Sequence, residues 1–139
     1  MKRSSMKILV VDLQSYWREH IAEILRSAGH QILTQDNYIE ALQLTKDKIS
    51  WDLVLLGCAR VTQEERMLIA SLIARQQSVI VLSIVLSLQD LRSLFLQGTL
   101  DVTDKTYHPA EILAIVDRAQ AQLINRDRPW ALARKGALG

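Results

Sequence analysis

The chain reads as a doubly wound α/β sandwich, and three observations carry that reading. Short apolar runs alternate five times with segments of helical periodicity. Capping and stop signals fall between them. Three of the runs are apolar almost throughout, as expected of strands covered on both faces. Strands separated by helices run parallel, with right-handed crossovers, so the helices flank both sides of one sheet.

The elements follow in order. KILVV (7–11) is a β-branched run and the first strand. Ser15 is placed to cap a helix over 16–28, in which Trp17, Ile21, Ile24, Leu25 and Ala28 share a face. Gly29 stands where a left-handed stop belongs. QILTQ (31–35) is the second strand. Asn37 with Glu40 forms a capping-box pattern that opens a helix through Thr45. DLVLL (52–56) is the third strand, opened by Asp52 and closed by Gly57. Thr62 with Glu65 starts a helix to about Arg75, and VIVLS (79–83) is the fourth strand. Ser87 with Asp90 opens a helix stopped by Gly98. LDVT (100–103) is a short fifth strand. Pro109 fits the first turn of a last helix over 108–125 with a clear apolar face. Residues 6–125 form one domain, and 126–139 (RDRPWALARKGALG) read as a basic C-terminal tail or the start of a linker.

Composition sets limits. With 139 residues, 49% hydrophobic and 23% charged, the chain suits one globular domain. A net charge of +2 makes no case for nucleic acid. No apolar run approaches the roughly 20 residues that span a membrane. One cysteine, Cys58, excludes an internal disulfide and suits a reducing compartment. We therefore expect a cytoplasmic protein that contacts neither nucleic acid nor membrane. His20, His30 and His108 share no ligand spacing, so no metal or other cofactor is expected.

In doubly wound sheets ligands bind outside the carboxyl ends of the strands. Asp12 and Leu13, Gly57 and Cys58, Ser83 and Ile84, and Lys105 occupy those ends. Over residues 6–125 the chain resembles the receiver domain of response regulators, including the single-domain chemotaxis regulator. VVD at 10–12, the strand DLVLL, VIVLS with its terminal hydroxyl, and Lys105 after G-x-x-D at 98–101 carry the resemblance. It implies a flavodoxin-like (βα)5 fold with strand order 2-1-3-4-5. It also implies phosphorelay signalling in a two-component system.

The chemistry of that family needs two acids after strand one and an aspartate after strand three, which hold Mg²⁺. The last of these accepts the phosphoryl group. A Ser or Thr after strand four and a lysine after strand five bind its oxygens. Asp12, Ser83 and Lys105 match, whereas Leu13 replaces the second acid and Gly57 the acceptor. A carboxylate crowd needs a hard cation to neutralise it, and two of the three metal carboxylates are gone. Asp52 lies at the far end of its strand, about five residues of 3.3 Å rise away. Asp36, Asp101 and Asp104 follow other strands. Further departures are Ile84 in place of a small residue, Val102 in place of an aromatic, and Thr106 in place of a proline after Lys105, which predicts a trans bond there.

The resemblance therefore implies an atypical receiver whose phosphorylation site (Asp12, Gly57, Ser83, Lys105) is vestigial. Such a module is not an enzyme. It acts without phosphorylation, by contact with a signalling partner or a second copy of itself. In the family the face of the fourth helix, fifth strand and fifth helix mediates such contacts. Ile84, Val85, Leu86, Leu94, Val102 and Tyr107 are its candidates here, while Ile84–Leu86 also read as a plain extension of strand four. The alternative is a working phosphorelay receiver with a non-standard acceptor carboxylate. A nucleotide enzyme or hydrolase lacks its motif: the chain has no G-x-G-x-x-G, Walker A or G-x-S-x-G.

Structural roles stand beside these. Without phosphate or metal, Lys105 should pair with Asp12. Ser83 should bond to backbone, and Leu13 and Ile84 should pack across the vacated site. Cys58 raises the question of a thiol acidified by Lys105; a small loop residue is the simpler reading.

Overall fold

The computed structural model describes residues 5–46, 51–105 and 108–127. Strands and helices alternate strictly. They are β1 (Lys7–Asp12), α1 (Ser15–Ser27), β2 (Gln31–Gln35), α2 (Tyr38–Leu44), β3 (Leu53–Arg60), α3 (Gln63–Ala74), β4 (Val79–Val85), α4 (Leu88–Gln97), β5 (Asp101–Asp104) and α5 (Pro109–Asp127). The five strands form one sheet, all parallel, in the order β2-β1-β3-β4-β5. This is the predicted fold.

The sheet divides the interior in two because side chains alternate faces along a strand. Leu9, Val11, Val54, Leu56, Val79 and Val81 face α2, α3 and α4, where Ala41, Ile69, Leu72 and Leu94 meet them. Ile8, Val10, Leu53, Leu55, Ile80 and Leu82 face α1 and α5, where Trp17, Ile21, Leu25, Ile112 and Val116 meet them. Each fully buried side chain of this size contributes about 1.5–3 kcal/mol. The near-continuous apolar runs follow directly, since Ile8–Val11, Leu53–Leu56 and Val79–Leu82 are buried on both faces of the sheet.

Local signals act where expected. Asn37 Oδ1 accepts the Glu40 N–H at 3.0 Å and starts α2. Thr62 and Glu65 form a capping box on α3, as do Ser87 and Asp90 on α4. Gly29 and Gly98 take left-handed φ values of 97° and 113° after α1 and α4. The short α2 is capped from outside at its other end. The Arg75 guanidinium donates to the Leu42 carbonyl and to Thr45 Oγ1, and the Trp51 indole donates to the Leu44 carbonyl at 2.9 Å. His30 is buried, and its Nδ1 accepts the Met6 N–H at 3.1 Å.

Several boundaries differ from the sequence reading: α2 ends at Leu44, and α5 runs to Asp127, two residues into the expected tail. β3 does not close at Gly57 but runs to Arg60, and β4 runs to Val85, because each continues the other's ladder to the pair Arg60–Val85. Gly57 thus lies within β3, opposite Asp12 on one side and Leu82 on the other. Ser15 is not the cap of α1; Gln14 holds that position, and its N–H donates to Asp12 Oδ1 at 2.9 Å. β5 is shifted one residue, to Asp101–Asp104. Among the described residues, no helix is long and apolar enough to cross a membrane.

Candidate functional site at the carboxyl edge of the sheet

Parallel strands bring their carboxyl ends to one edge. Asp12 ends β1 beside Gly57 of β3, Cys58 pairs with Ser83 of β4, and Ser83 pairs with Asp104 of β5. Lys105 follows at once, its N–H donating to the Ser83 carbonyl at 2.9 Å. The four residues singled out in the sequence therefore meet.

What they make is an ion pair. Lys105 Nζ lies 2.8 Å from Asp12 Oδ2, with side-chain exposures of 0% and 1%. The contact lies outside hydrogen-bond alignment, so Coulomb attraction in a dry, low-dielectric site holds it. The Trp17 ring sits 4.8 Å from Nζ and offers its negative face to the ammonium. Asp12 is fixed at three points. Oδ1 accepts from Gln14, Oδ2 faces Lys105, and the main-chain carbonyl accepts from the Arg18 guanidinium at 3.0 Å. The expected Asp12–Lys105 pair is present.

Ser83 is fully buried, and its hydroxyl lies 2.7 Å from the Val85 carbonyl and 3.4 Å from that of Ala59. It serves the backbone, as expected. Gly57 has no Cβ, and the pair uses that space. A Cβ there would lie 2.2 Å from Asp12 Oδ2 and 3.1 Å from Lys105 Cε.

Several expectations fail. Leu13 and Ile84 do not pack across the site; they are 52% and 48% exposed. Leu13 lines the cleft beside the pair instead of closing over it. Cys58 belongs to β3 rather than to a loop. Burial pushes its thiol up to about 11, against the Ser83 hydrogen bond and the Lys105 charge that lower it, which favours the protonated thiol at neutral pH. Leu94 and Val102 are not surface residues. Leu94 is the buried anchor of α4, and Val102 is a core residue of β5. Leu86 packs partly against the core. Ile84 and Val85 extend β4 but are exposed rather than buried. Tyr107 and the Lys105–Thr106 bond lie outside the described residues.

Beside the pair lies an open cleft of about 340 Å³ whose lining includes Gln14, Tyr38, Gly57, Arg60 and Glu65. In it the Tyr38 hydroxyl donates to Glu65 Oε2 at 2.8 Å, and Thr62 donates its N–H and hydroxyl to Glu65 Oε1. Burial favours a neutral Glu65, but the hydrogen bonds from Thr62 and Tyr38 outweigh it and hold the carboxyl below its ordinary value. Burial and the neighbouring carboxylate push the Tyr38 phenol upward. Among the described residues, no group of three or more His, Cys, Asp or Glu is placed to hold a metal ion. Sequence reasoning missed three contributors. Trp17 was read as apolar face only, Tyr38 was given no role, and Glu65 was read as a capping residue only. The spacing of Trp17, one helical turn after the end of β1, was the available signal.

Solved structures similar to this one share its fold. A CheY-like response regulator receiver domain from Methanospirillum hungatei matches with a TM-score of 0.77 at 18% identity, over 88% of this chain and 99% of its own. A pilus assembly-related protein from Burkholderia pseudomallei matches at 0.74 and 21%, over 84% and 90%. NtrX from Brucella abortus matches at 0.80 and 20%, over 96% of this chain but only 30% of that one. No protein-family model and no curated protein matches the chain. The chain carries the receiver-type fold, and at these identities the likeness speaks for the fold alone.

Proposed function

We propose that this chain is an atypical receiver module in two-component-type signalling that works by protein contact, without phosphoryl transfer and without enzymatic activity. One observation carries the reading. Where a receiver would hold its acceptor carboxylate there is a glycine, and a buried lysine–aspartate pair occupies the adjoining space. Asp12 is engaged on both oxygens, Ser83 is spent on backbone, and Leu13 points into solvent. Asp52, just before β3, accepts from the Lys7 N–H at the opposite edge of the sheet.

The contact surface this reading favours lies on α4 and the end of β4. Leu88, Phe95 and Leu96 are 86%, 47% and 82% exposed, and Ile84 and Val85 adjoin them in sequence. Apolar side chains grouped in this way mark contact sites more often than chance exposure does. The partner is a signalling protein or a second copy of the chain. Two of the similar structures are described as pilus assembly proteins, which adds an assembly apparatus to the partner classes worth testing.

Intact mass after incubation with acetyl phosphate and Mg²⁺ tests the reading. The expected result is an unmodified chain. A hydroxylamine-labile adduct of one phosphoryl group would mean that another carboxylate accepts phosphate, and the alternative of a working receiver would replace this one.

A further inference from the structure

Gly57 is not in a left-handed conformation; only Gly29 and Gly98 among the described glycines are. Backbone torsion therefore does not call for glycine at this position, and space must. The ideal Cβ falls 2.2 Å from Asp12 Oδ2, 3.0 Å from Asp12 Cγ and 3.1 Å from Lys105 Cε. Neither neighbour is free to yield. Asp12 is held through Gln14, Arg18 and Lys105, and Lys105 is packed under Trp17 with no side-chain exposure. Moving Oδ2 far enough to admit the Cβ displaces one member of a buried, tightly packed ion pair.

We infer that Gly57 and the Asp12–Lys105 bridge form one interlocked unit, in which the bridge fills the volume of a side chain at position 57 and ties α1, β1 and β5 into a single fixed arrangement. Glycine here is a requirement of the present fold rather than only a missing acceptor. A carboxylate at position 57 meets the same obstacle with more atoms. Restoring an acceptor and keeping the bridge exclude each other. This interlock is independent of whether the module signals by contact.

The test is a thermal-stability cycle. Gly57→Ala is made in the wild type and in an Asp12→Ala, Lys105→Met background that lacks the bridge. Alanine should lower Tm on the order of 5–10 °C in the wild type, as overpacking does in a domain of this size. In the bridge-free background the loss should vanish or turn into a small gain, because alanine restricts the unfolded chain. Equal losses in both backgrounds, or no loss in the wild type, would overturn the inference. If Gly57→Ala does not fold alone, recovery of folding in the triple variant supports the interlock, and failure to recover overturns it. If the bridge-free background itself does not fold, Trp17 emission decides in a Trp51→Phe, Trp130→Phe chain. A shift caused by Gly57→Ala supports an opened bridge, and an unchanged spectrum refutes it.

Discussion

The carboxyl edge of the sheet and the outer face of α4 are built in opposite ways. At the edge, charged residues that belong in water are sealed away: Asp12 and Lys105 have side-chain exposures of 1% and 0%. On α4, residues that belong in a core are left out: only Leu94 is buried, while Leu88, Phe95 and Leu96 face solvent. One region uses charge for structure, and the other leaves apolar surface uncovered by its own fold. The proposed contact function needs this distribution, a site that does not change and a surface that is not yet satisfied.

The sharpest way to break the comparison is to remove half of the bridge. Lys105→Met leaves Asp12 buried without its counter-charge, and Asp12→Asn leaves Lys105 so. Each should cost about 3–5 kcal/mol, read as a large drop in denaturant midpoint. If both midpoints stay put, the pair is incidental to the fold. Next comes α4 itself. Leu94→Ala should cost about 2–5 kcal/mol by opening a cavity. Leu96→Ala, two residues away but 82% exposed, should stay within about 0.5 kcal/mol of wild type. Comparable losses would mean that Leu96 is covered, and the open surface would have to be redrawn.

A smaller loss than at the bridge or at Leu94 concerns Glu65, which adjoins the edge but belongs to a neutral-to-charged hydrogen-bond cluster. Its folded carboxyl lies below the ordinary 4.5. Its contribution is therefore fully present above that value and is lost as pH falls through the lower folded one. Glu65→Gln should cost about 1 kcal/mol at neutral pH, and its gap from wild type should close in acid. A gap that is constant with pH would assign the loss to packing instead of charge.

Most of the fold was legible because caps, glycine stops and apolar runs agree with one another. The same signals did not show where β3 and β4 end. Ladder pairing between two strands carries Cys58, Ala59 and Arg60 past the point where composition stops looking like a strand. The Asp12–Lys105 pair was readable because two charges with no ligand must find each other. Its lid was not, because an indole on an apolar helix face looks the same whether it covers leucine or lysine. Leu94 and Val102 went to the wrong side because the reading borrowed a face from a family. The phase of the helix, with Leu91 and Leu94 inward and Leu88, Phe95 and Leu96 outward, is a property of this chain.

The far end of α2 has a consequence of its own. A helix of seven residues is too short to persist alone in water, where about 12–15 are needed even for good helix formers. Its final carbonyls are held by Arg75, the residue that closes α3, and by Trp51, just before β3. A fluctuation that frees the last turn of α3 removes one of these two holds, so what looks like a peripheral segment draws part of its stability from its neighbour.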